Sequence, residues 1–156
     1  MNVFDRVEKK FILDKESLEL IKEKIKQNMK PDPYHNKEYT ISSIYLDTDI
    51  FDLIRKSMEK PIYKEKIRLR SYNVPSLEDN VFLETKKKYN GQGNKRRIKL
   101  KLKDAYDFIE EKLKPTTQIG KELEYTIKYN KLKPKIYIAY DRLAFEENNF
   151  RITLES

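Results

Sequence analysis

Three segments of this chain alternate between charged and apolar residues in the same way, and this pattern constrains the fold more than any other feature. The segments are 64–72, 81–88 and 94–102. One side of them would carry Lys66, Arg68, Arg70, Glu84, Lys86, Lys88, Arg97, Lys99 and Lys101, and the other Ile67, Leu69, Val81, Leu83, Ile98, Leu100 and Leu102. Because successive side chains of a β-strand point to opposite faces, the pattern predicts three strands with one basic and one apolar face each. Asn90-Gly91-Gln92-Gly93 separates the last two segments and is typical of a hairpin turn.

Further elements are predicted on both sides of these strands. Strands are expected at 4–13, 39–46, 135–145 and 150–155, and helices at 15–29, 51–58, 104–113 and 119–132. Asp14 and Asp104 are expected to cap the first and third helices. Segment 4–13 would place Arg6, Glu8 and Lys10 on one side of its strand. With no internal repeat and no linker, the 156 residues predict one domain.

Composition narrows the possible functions. Lys and Arg outnumber Asp and Glu by 34 to 26, for a net charge of +8, which favours anionic partners. The chain has no Cys and one His, so disulfides, thiolate metal sites and sites that need two imidazoles are excluded. Its three glycines cannot build a glycine-rich phosphate loop. Without a signal peptide or an apolar segment long enough to span a bilayer, a cytoplasmic location is expected, with membrane association only through partners.

The basic faces predict a particular kind of ligand if the strands curl so that these faces converge. Two like charges about 4 Å apart repel by roughly 4 kcal/mol at an effective dielectric constant of about 20. An extended polyanion would offset that repulsion, since phosphate oxygens accept hydrogen bonds from guanidinium and ammonium groups. Alternatively, each basic face is simply solvated, or Arg68 and Arg70 pair with Glu84 across strands. Such pairing would explain Glu84 but not the other cations.

Eight segments resemble, in order and spacing, the VTC domain of polyphosphate polymerases. They are RVEKKF (6–11), SSIYLDTDIFDL (42–53), KIRLRSY (66–72), FLETKKK (82–88), RRIKLKL (96–102), ELEYTIKYNKLKP (122–134), AYDRLAF (139–145) and FRITLES (150–156). The resemblance implies an α+β fold of the triphosphate tunnel metalloenzyme type, an antiparallel β-barrel or tunnel with helices packed outside. It also implies that residues 1–156 are the N-terminal two thirds of the family domain. Further tunnel strands, an acidic metal ligand and a Ser-Lys pair would then lie in a missing C-terminal segment or come from a completing partner chain.

The resemblance implies an activity and a set of site residues. The activity is that of an ATP–polyphosphate phosphotransferase, which transfers the γ-phosphate of ATP to a growing polyphosphate chain with a divalent metal, Mn²⁺ or Mg²⁺. The phosphate-binding and catalytic cations would be Lys10, Arg68, Arg70, Lys86, Lys99, Arg142 and Arg151, with Tyr140 as a further binding residue. Glu8 and Glu84 are candidate metal ligands, and ion pairs are their alternative role.

Three other functions fit parts of the pattern. A noncatalytic accessory domain would bind polyphosphate or nucleotide without turnover. A CYTH-like triphosphatase would carry an ExExK strand, but here Arg6 replaces the first Glu of that motif, which favours polymer binding over hydrolysis. A nucleic-acid-binding module would place aromatics among its cations for stacking, and the basic faces offer only Phe4, Tyr72 and Phe82. Nucleotide triphosphate and polyphosphate are therefore the expected partners, and nucleic acid is not.

Overall fold

The computed structural model describes residues 8–33 and 37–156, and its fold is α+β. Two compact units divide the chain: a sheet unit, Glu38–Arg142 with Glu155–Ser156, and a terminal unit, Met1–Lys37 with Leu143–Leu154. The helices are α1 Lys15–Asn28, α2 Asp52–Met58, α3 Leu102–Ile109 and α4 Gln118–Tyr129. The strands are β1 Lys30–Pro31, β2 Tyr39–Asp47, β3 Tyr63–Tyr72, β4 Asn80–Tyr89, β5 Gln92–Lys101, β6 Lys133–Glu147 and β7 Phe150–Glu155.

In the sheet unit, antiparallel strands lie in the order β6-β2-β3-β4-β5. The three strands predicted from alternation are confirmed as β3, β4 and β5. Asn90 and Gly91 turn the β4–β5 hairpin with positive φ angles of 44° and 84°, as the Asn-Gly sequence predicts. The register pairs Arg68 with Glu84 and Glu84 with Arg97, so basic-face residues lie beside basic-face residues on all three strands.

The apolar side of this sheet, called the helix face, holds the core. Side chains of β2, β3 and β4 pack there against α3 and α4. Buried members of this cluster are Leu46, Ile67, Leu69, Val81, Leu83, Leu102, Ala105, Phe108, Ile109, Leu123, Ile127 and Leu132. An antiparallel sheet that packs one face on a core leaves its other face free for polar side chains, and these strands follow that rule.

Helix α3 begins earlier than predicted. It starts at Leu102, directly after β5, so Asp104 lies in its first turn and is not its N-cap. The amides of Leu102 and Lys103 donate instead to the carbonyls of Asp79 (2.9 Å) and Leu77 (3.1 Å). Backbone carbonyls of the β3–β4 connection therefore satisfy the first amides of the helix, and no capping side chain is needed.

In the terminal unit, the predicted N-cap of α1 is confirmed, since Asp14 Oδ1 accepts a hydrogen bond from the Ser17 amide at 2.8 Å. Strand β1 pairs antiparallel with the end of β6, with Lys30 opposite Glu146. Ile25 is buried in this unit, as are Ala144 and Phe145.

The strand predicted at 4–13 is only partly within the described residues. Residues 4–7 lie outside them, and residues 8–13 form no strand. Phe11 and Ile12 are 79% and 102% exposed. Alternation alone does not make a strand, because the backbone also needs a neighbouring strand to bond with, and within the described residues this segment has none.

Candidate phosphate-binding site

Cations line the side of β3, β4 and β5 that is opposite to the helix face, and we call this side the basic face. Its residues form three rows across the strands: Arg70, Phe82 and Lys99; Arg68, Glu84 and Arg97; Lys66, Lys86 and Lys95. Neighbouring strands lie about 4.8 Å apart, and successive rows lie about 7 Å apart. The rows therefore place several positive charges within reach of one anion.

A buried carboxylate lies in the middle of these rows. Glu84 is 1% exposed. Its Oε2 accepts from Arg68 Nη2 at 3.4 Å and forms an ion pair with Lys95 Nζ at 2.9 Å, while its Oε1 lies 3.9 Å from Arg70 Nε. Burial raises the pKa of Glu84, but the Lys95 hydrogen bond and the three positive charges outweigh it and hold the pKa below its ordinary value. Glu84 is therefore a carboxylate at neutral pH.

Tyr140 connects two of the arginines. Arg70 Nη2 donates to the Tyr140 hydroxyl at 3.4 Å, and Arg142 Nη2 donates to the same hydroxyl at 3.0 Å. Arg70 Nε also donates to Ser43 Oγ at 3.3 Å, and Arg142 pairs with Glu155. Strand β2 lies between β3 and β6 and has the small Ser43 opposite Arg70. The Arg70 side chain can therefore reach across β2 to Tyr140 of β6. Two guanidinium groups thus share one phenol oxygen.

Arg68 is held from two sides. Its Nη1 donates to the Tyr45 hydroxyl at 3.0 Å, and its Nη2 donates to Glu84. Burial lowers the pKa of Arg68, but the charge of Glu84 and the Tyr45 hydrogen bond raise it above its ordinary value. Arg68 Nε is buried and has no hydrogen-bond partner among the described residues, so one donor is left for another acceptor.

The two predicted lysines on the basic face are exposed. Lys86 lies between Lys66 and Lys95 in the register, and Lys99 lies opposite Phe82. Within residues 8–33 and 37–156, neither Lys86 nor Lys99 forms an ion pair. Lys86 has like charges opposite it on both neighbouring strands, an arrangement that destabilises a sheet. Because neither lysine has a carboxylate partner in these ranges, both ammonium groups are available to an anion.

The remaining predicted cations belong to the terminal unit. Arg151 Nη2 lies 2.5 Å from Oδ2 of the buried Asp32. The Lys10 side chain is 82% exposed, and its Nζ lies 3.8 Å from Glu8 Oε1. The phosphate-binding role of these two residues stays a prediction.

Comparison with known families gives this arrangement a context. The model of the VTC domain family matches residues 5–156. The chain belongs to the VTC domain family. A search of curated proteins found no match.

The fold of this VTC domain has a counterpart among solved structures. A protein proposed to be an adenylate cyclase, from Vibrio parahaemolyticus, is similar to it with a TM-score of 0.54 and 13% sequence identity. The match covers 92% of the VTC domain and 63% of the other chain, so the VTC domain spans less than two thirds of that chain's length. At this identity the likeness shows the fold, and it confirms the tunnel-like α+β architecture expected from the sequence.

The described part of the VTC domain does not fit a divalent metal site. In residues 8–33 and 37–156, no three Asp, Glu or His side chains cluster as metal ligands would. Three cations surround the carboxylate of Glu84, and their charges would repel a metal ion placed beside it. Glu8 pairs with Lys10 in an exposed segment. The surroundings of both candidate ligands favour ion pairs. None of the helices in these ranges has the length and apolar character that crossing a bilayer requires.

Lys95, Ser43, Tyr45 and Glu155 contact predicted site residues of this VTC domain but were not predicted as site residues themselves. Lys95, Ser43 and Tyr45 project from the same faces as the predicted residues, so extending the alternation through β5 and β2 would have found them. Glu155 pairs with Arg142 although the two are 13 positions apart on different strands. No feature of the sequence near either residue indicates that pair.

Proposed function

We propose that this VTC domain binds the triphosphate of ATP and polyphosphate chains on its basic face, as part of an ATP–polyphosphate phosphotransferase. The observation that carries the proposal is a continuous series of polar contacts flanked by exposed lysines. Arg68 donates to Glu84, Glu84 forms an ion pair with Arg70, and Arg70 and Arg142 both donate to Tyr140. Guanidinium groups recognise phosphate oxygens through paired N–H donors, and ammonium groups act as compact point charges. An extended phosphate chain supplies negative charge along all three rows.

The reaction would exchange one phosphorus–oxygen bond for another. The terminal oxygen of a polyphosphate chain would attack the γ-phosphorus of ATP, the bond from that phosphorus to the oxygen that bridges it to the β-phosphate would break, and ADP would leave. Phosphoryl transfer of this kind needs positioning and charge stabilisation more than covalent chemistry from the protein. The residues of the basic face supply both, since they hold phosphate oxygens in place and neutralise their charge. The divalent metal implied by the family would have ligands outside the basic face.

Product analysis tests the activity. The protein is incubated with ATP and Mn²⁺, and ADP release and long phosphate polymer are measured. Polymer together with ADP supports the phosphotransferase. Free phosphate alone would support a triphosphatase, and binding of polyphosphate without turnover would support an accessory role.

Substitution of Arg70 tests the binding site separately. Arg70→Ala is expected to lower the affinity for tripolyphosphate at least tenfold, because hydrogen bonds to charged groups contribute about 1.5 to 3 kcal/mol each. Folding should be largely retained, since Glu84 keeps Arg68 and Lys95 as partners. Isothermal titration calorimetry measures the affinity, and thermal unfolding checks the fold.

Arg96→Ala is the matched control for that experiment. Arg96 is an arginine of β5, but it pairs with Glu122 of α4 on the helix face. Its loss changes the net charge as much as the loss of Arg70 does. Equal losses of affinity in the two variants would mean that overall charge, and not the basic face, sets binding.

A further inference from the structure

Glu84 is an anionic residue in a site that is proposed to bind anions, and its surroundings suggest why it is there. It is the most buried ionisable group of the basic face, and the positive groups of Arg68, Arg70 and Lys95 all lie within 4 Å of its carboxylate. A carboxylate at this position repels an incoming phosphate. Its presence therefore needs a reason other than direct contact with the ligand.

Strand register explains how one side chain reaches three cations. Glu84 lies on β4, the central strand of the three, and directly opposite Arg68 on β3. Arg70 and Lys95 lie diagonally from it, on β3 and β5. Diagonal neighbours across strands lie within reach of long side chains.

The two carboxylate oxygens of Glu84 face different cations, so the contacts orient the cationic side chains and also offset their charge. Oε2 is shared between Arg68 Nη2 and Lys95 Nζ, and Oε1 lies nearest to Arg70 Nε. Tyr45 and Tyr140 hold the other ends of the two guanidinium groups. Without the carboxylate, three mutually repelling cations would turn away from one another, and each would have to be brought back when phosphate binds.

We propose that Glu84 is a positioning residue of the phosphate site, which holds Arg68, Arg70 and Lys95 in the arrangement that receives the ligand. This inference rests on the proposed function. It makes a prediction about sign: removing the negative charge of Glu84 should weaken phosphate binding, although it makes the site more positive. If the carboxylate acted only by repelling the negatively charged ligand, removing its charge would strengthen phosphate binding.

Two variants of Glu84 test the proposal, with tripolyphosphate as the ligand in isothermal titration calorimetry. Glu84→Gln keeps the size of the side chain and removes its charge, and its affinity is expected to fall about tenfold. Glu84→Asp keeps the charge on a shorter side chain, and its affinity is expected to fall about threefold. The affinity is therefore expected to decrease from wild type to Glu84→Asp and again to Glu84→Gln. If Glu84 acted through packing alone, Glu84→Gln would instead bind as tightly as wild type, and Glu84→Asp would bind most weakly.

Glu122→Gln is the matched control. It makes the same change in net charge by removing a carboxylate that pairs with an arginine of β5, but on the helix face. Its affinity should stay within about twofold of wild type. Thermal unfolding must show each variant to be folded at the titration temperature. If Glu84→Gln does not fold at that temperature, it is compared with wild type at a lower temperature where it is folded, and Glu84→Asp is measured beside it at the same net charge as wild type.

The possible results separate this inference from the proposed function. Wild-type protein that does not bind tripolyphosphate would overturn both. Binding by wild type, with Glu84→Gln binding as tightly or more tightly, would overturn the inference and leave the proposed function in place. If Glu84→Asp bound with the affinity of wild type, the inference would also be overturned and the proposed function would stand.

Discussion

The helix face and the basic face of the sheet unit are made by the same strands, yet they are held together differently. On the helix face, neighbouring strands bring apolar side chains together, and burying them stabilises the fold whatever their detailed geometry. On the basic face, the same pairing brings cations together, and stability there depends on one carboxylate and a few hydroxyl groups. One face can therefore account for folding, while the other retains charges that are available to a ligand.

The largest expected effect is on the helix face. Leu83 is fully buried in the core, and Leu83→Ala should lower the free energy of unfolding by about 2 to 5 kcal/mol. The cost combines lost apolar burial with the cavity left behind. Urea unfolding measures it, and Lys86→Ala on the same strand is the control, expected to change stability by about 0.5 kcal/mol or less. A loss below about 1 kcal/mol for Leu83→Ala would contradict the division between the faces.

A smaller effect on stability is expected at Glu84, and it depends on pH. Since the folded state lowers the pKa of Glu84, the carboxylate stabilises the fold above the pKa of the unfolded chain, and this contribution is lost as the pH falls through the folded-state pKa. Glu84→Gln should therefore be less stable than wild type by about 1 to 3 kcal/mol at pH 7, since the neutral amide has one acceptor oxygen in place of two and no charge to offset the three cations. The difference should narrow below about pH 4.5, the ordinary value for Glu. Urea unfolding at several pH values measures it, and a difference that widens in acid would contradict the assigned sign.

The smallest expected effect concerns the exposed lysines of the basic face. Lys86→Gln and Lys99→Gln should each lower the affinity for tripolyphosphate about threefold, which corresponds to less than 1 kcal/mol. Stability should stay unchanged or rise slightly, because each lysine faces like charges or a ring and not a carboxylate. Lys121→Gln, on α4, is the control. Calorimetry of the three variants would show whether the affinity depends on the face or only on net charge.

Much of this arrangement could be predicted from the sequence because β-strands have a period of two. Once residues 64–72 and 81–88 are recognised as strands, their alternation decides which side chains share a face. The core of the helix face follows from the same pattern, and the hairpin follows from Asn90-Gly91. The helices were predicted to within a few residues at most of their ends.

The contacts within the site could not be predicted in this way. That Tyr140 joins Arg70 to Arg142 depends on β2 lying between β3 and β6, and strand order is not visible in local alternation. Glu84 could be seen as a partner for arginines, but its near-complete burial and its contact with Lys95 depend on the register of β5. The early start of α3 depends on carbonyl groups more than 20 residues away.

The lysine row Lys66, Lys86 and Lys95 has a consequence for how the protein responds to ionic strength. The strands that carry these lysines lie about 4.8 Å apart, a spacing that is within the Debye length of about 10 Å at 0.1 M salt and exceeds the length of about 3 Å at 1 M. Added salt should therefore screen the repulsion within the row and make unfolding harder. The same screening should make phosphate binding weaker. Thermal stability and affinity are thus expected to move in opposite directions along one salt series.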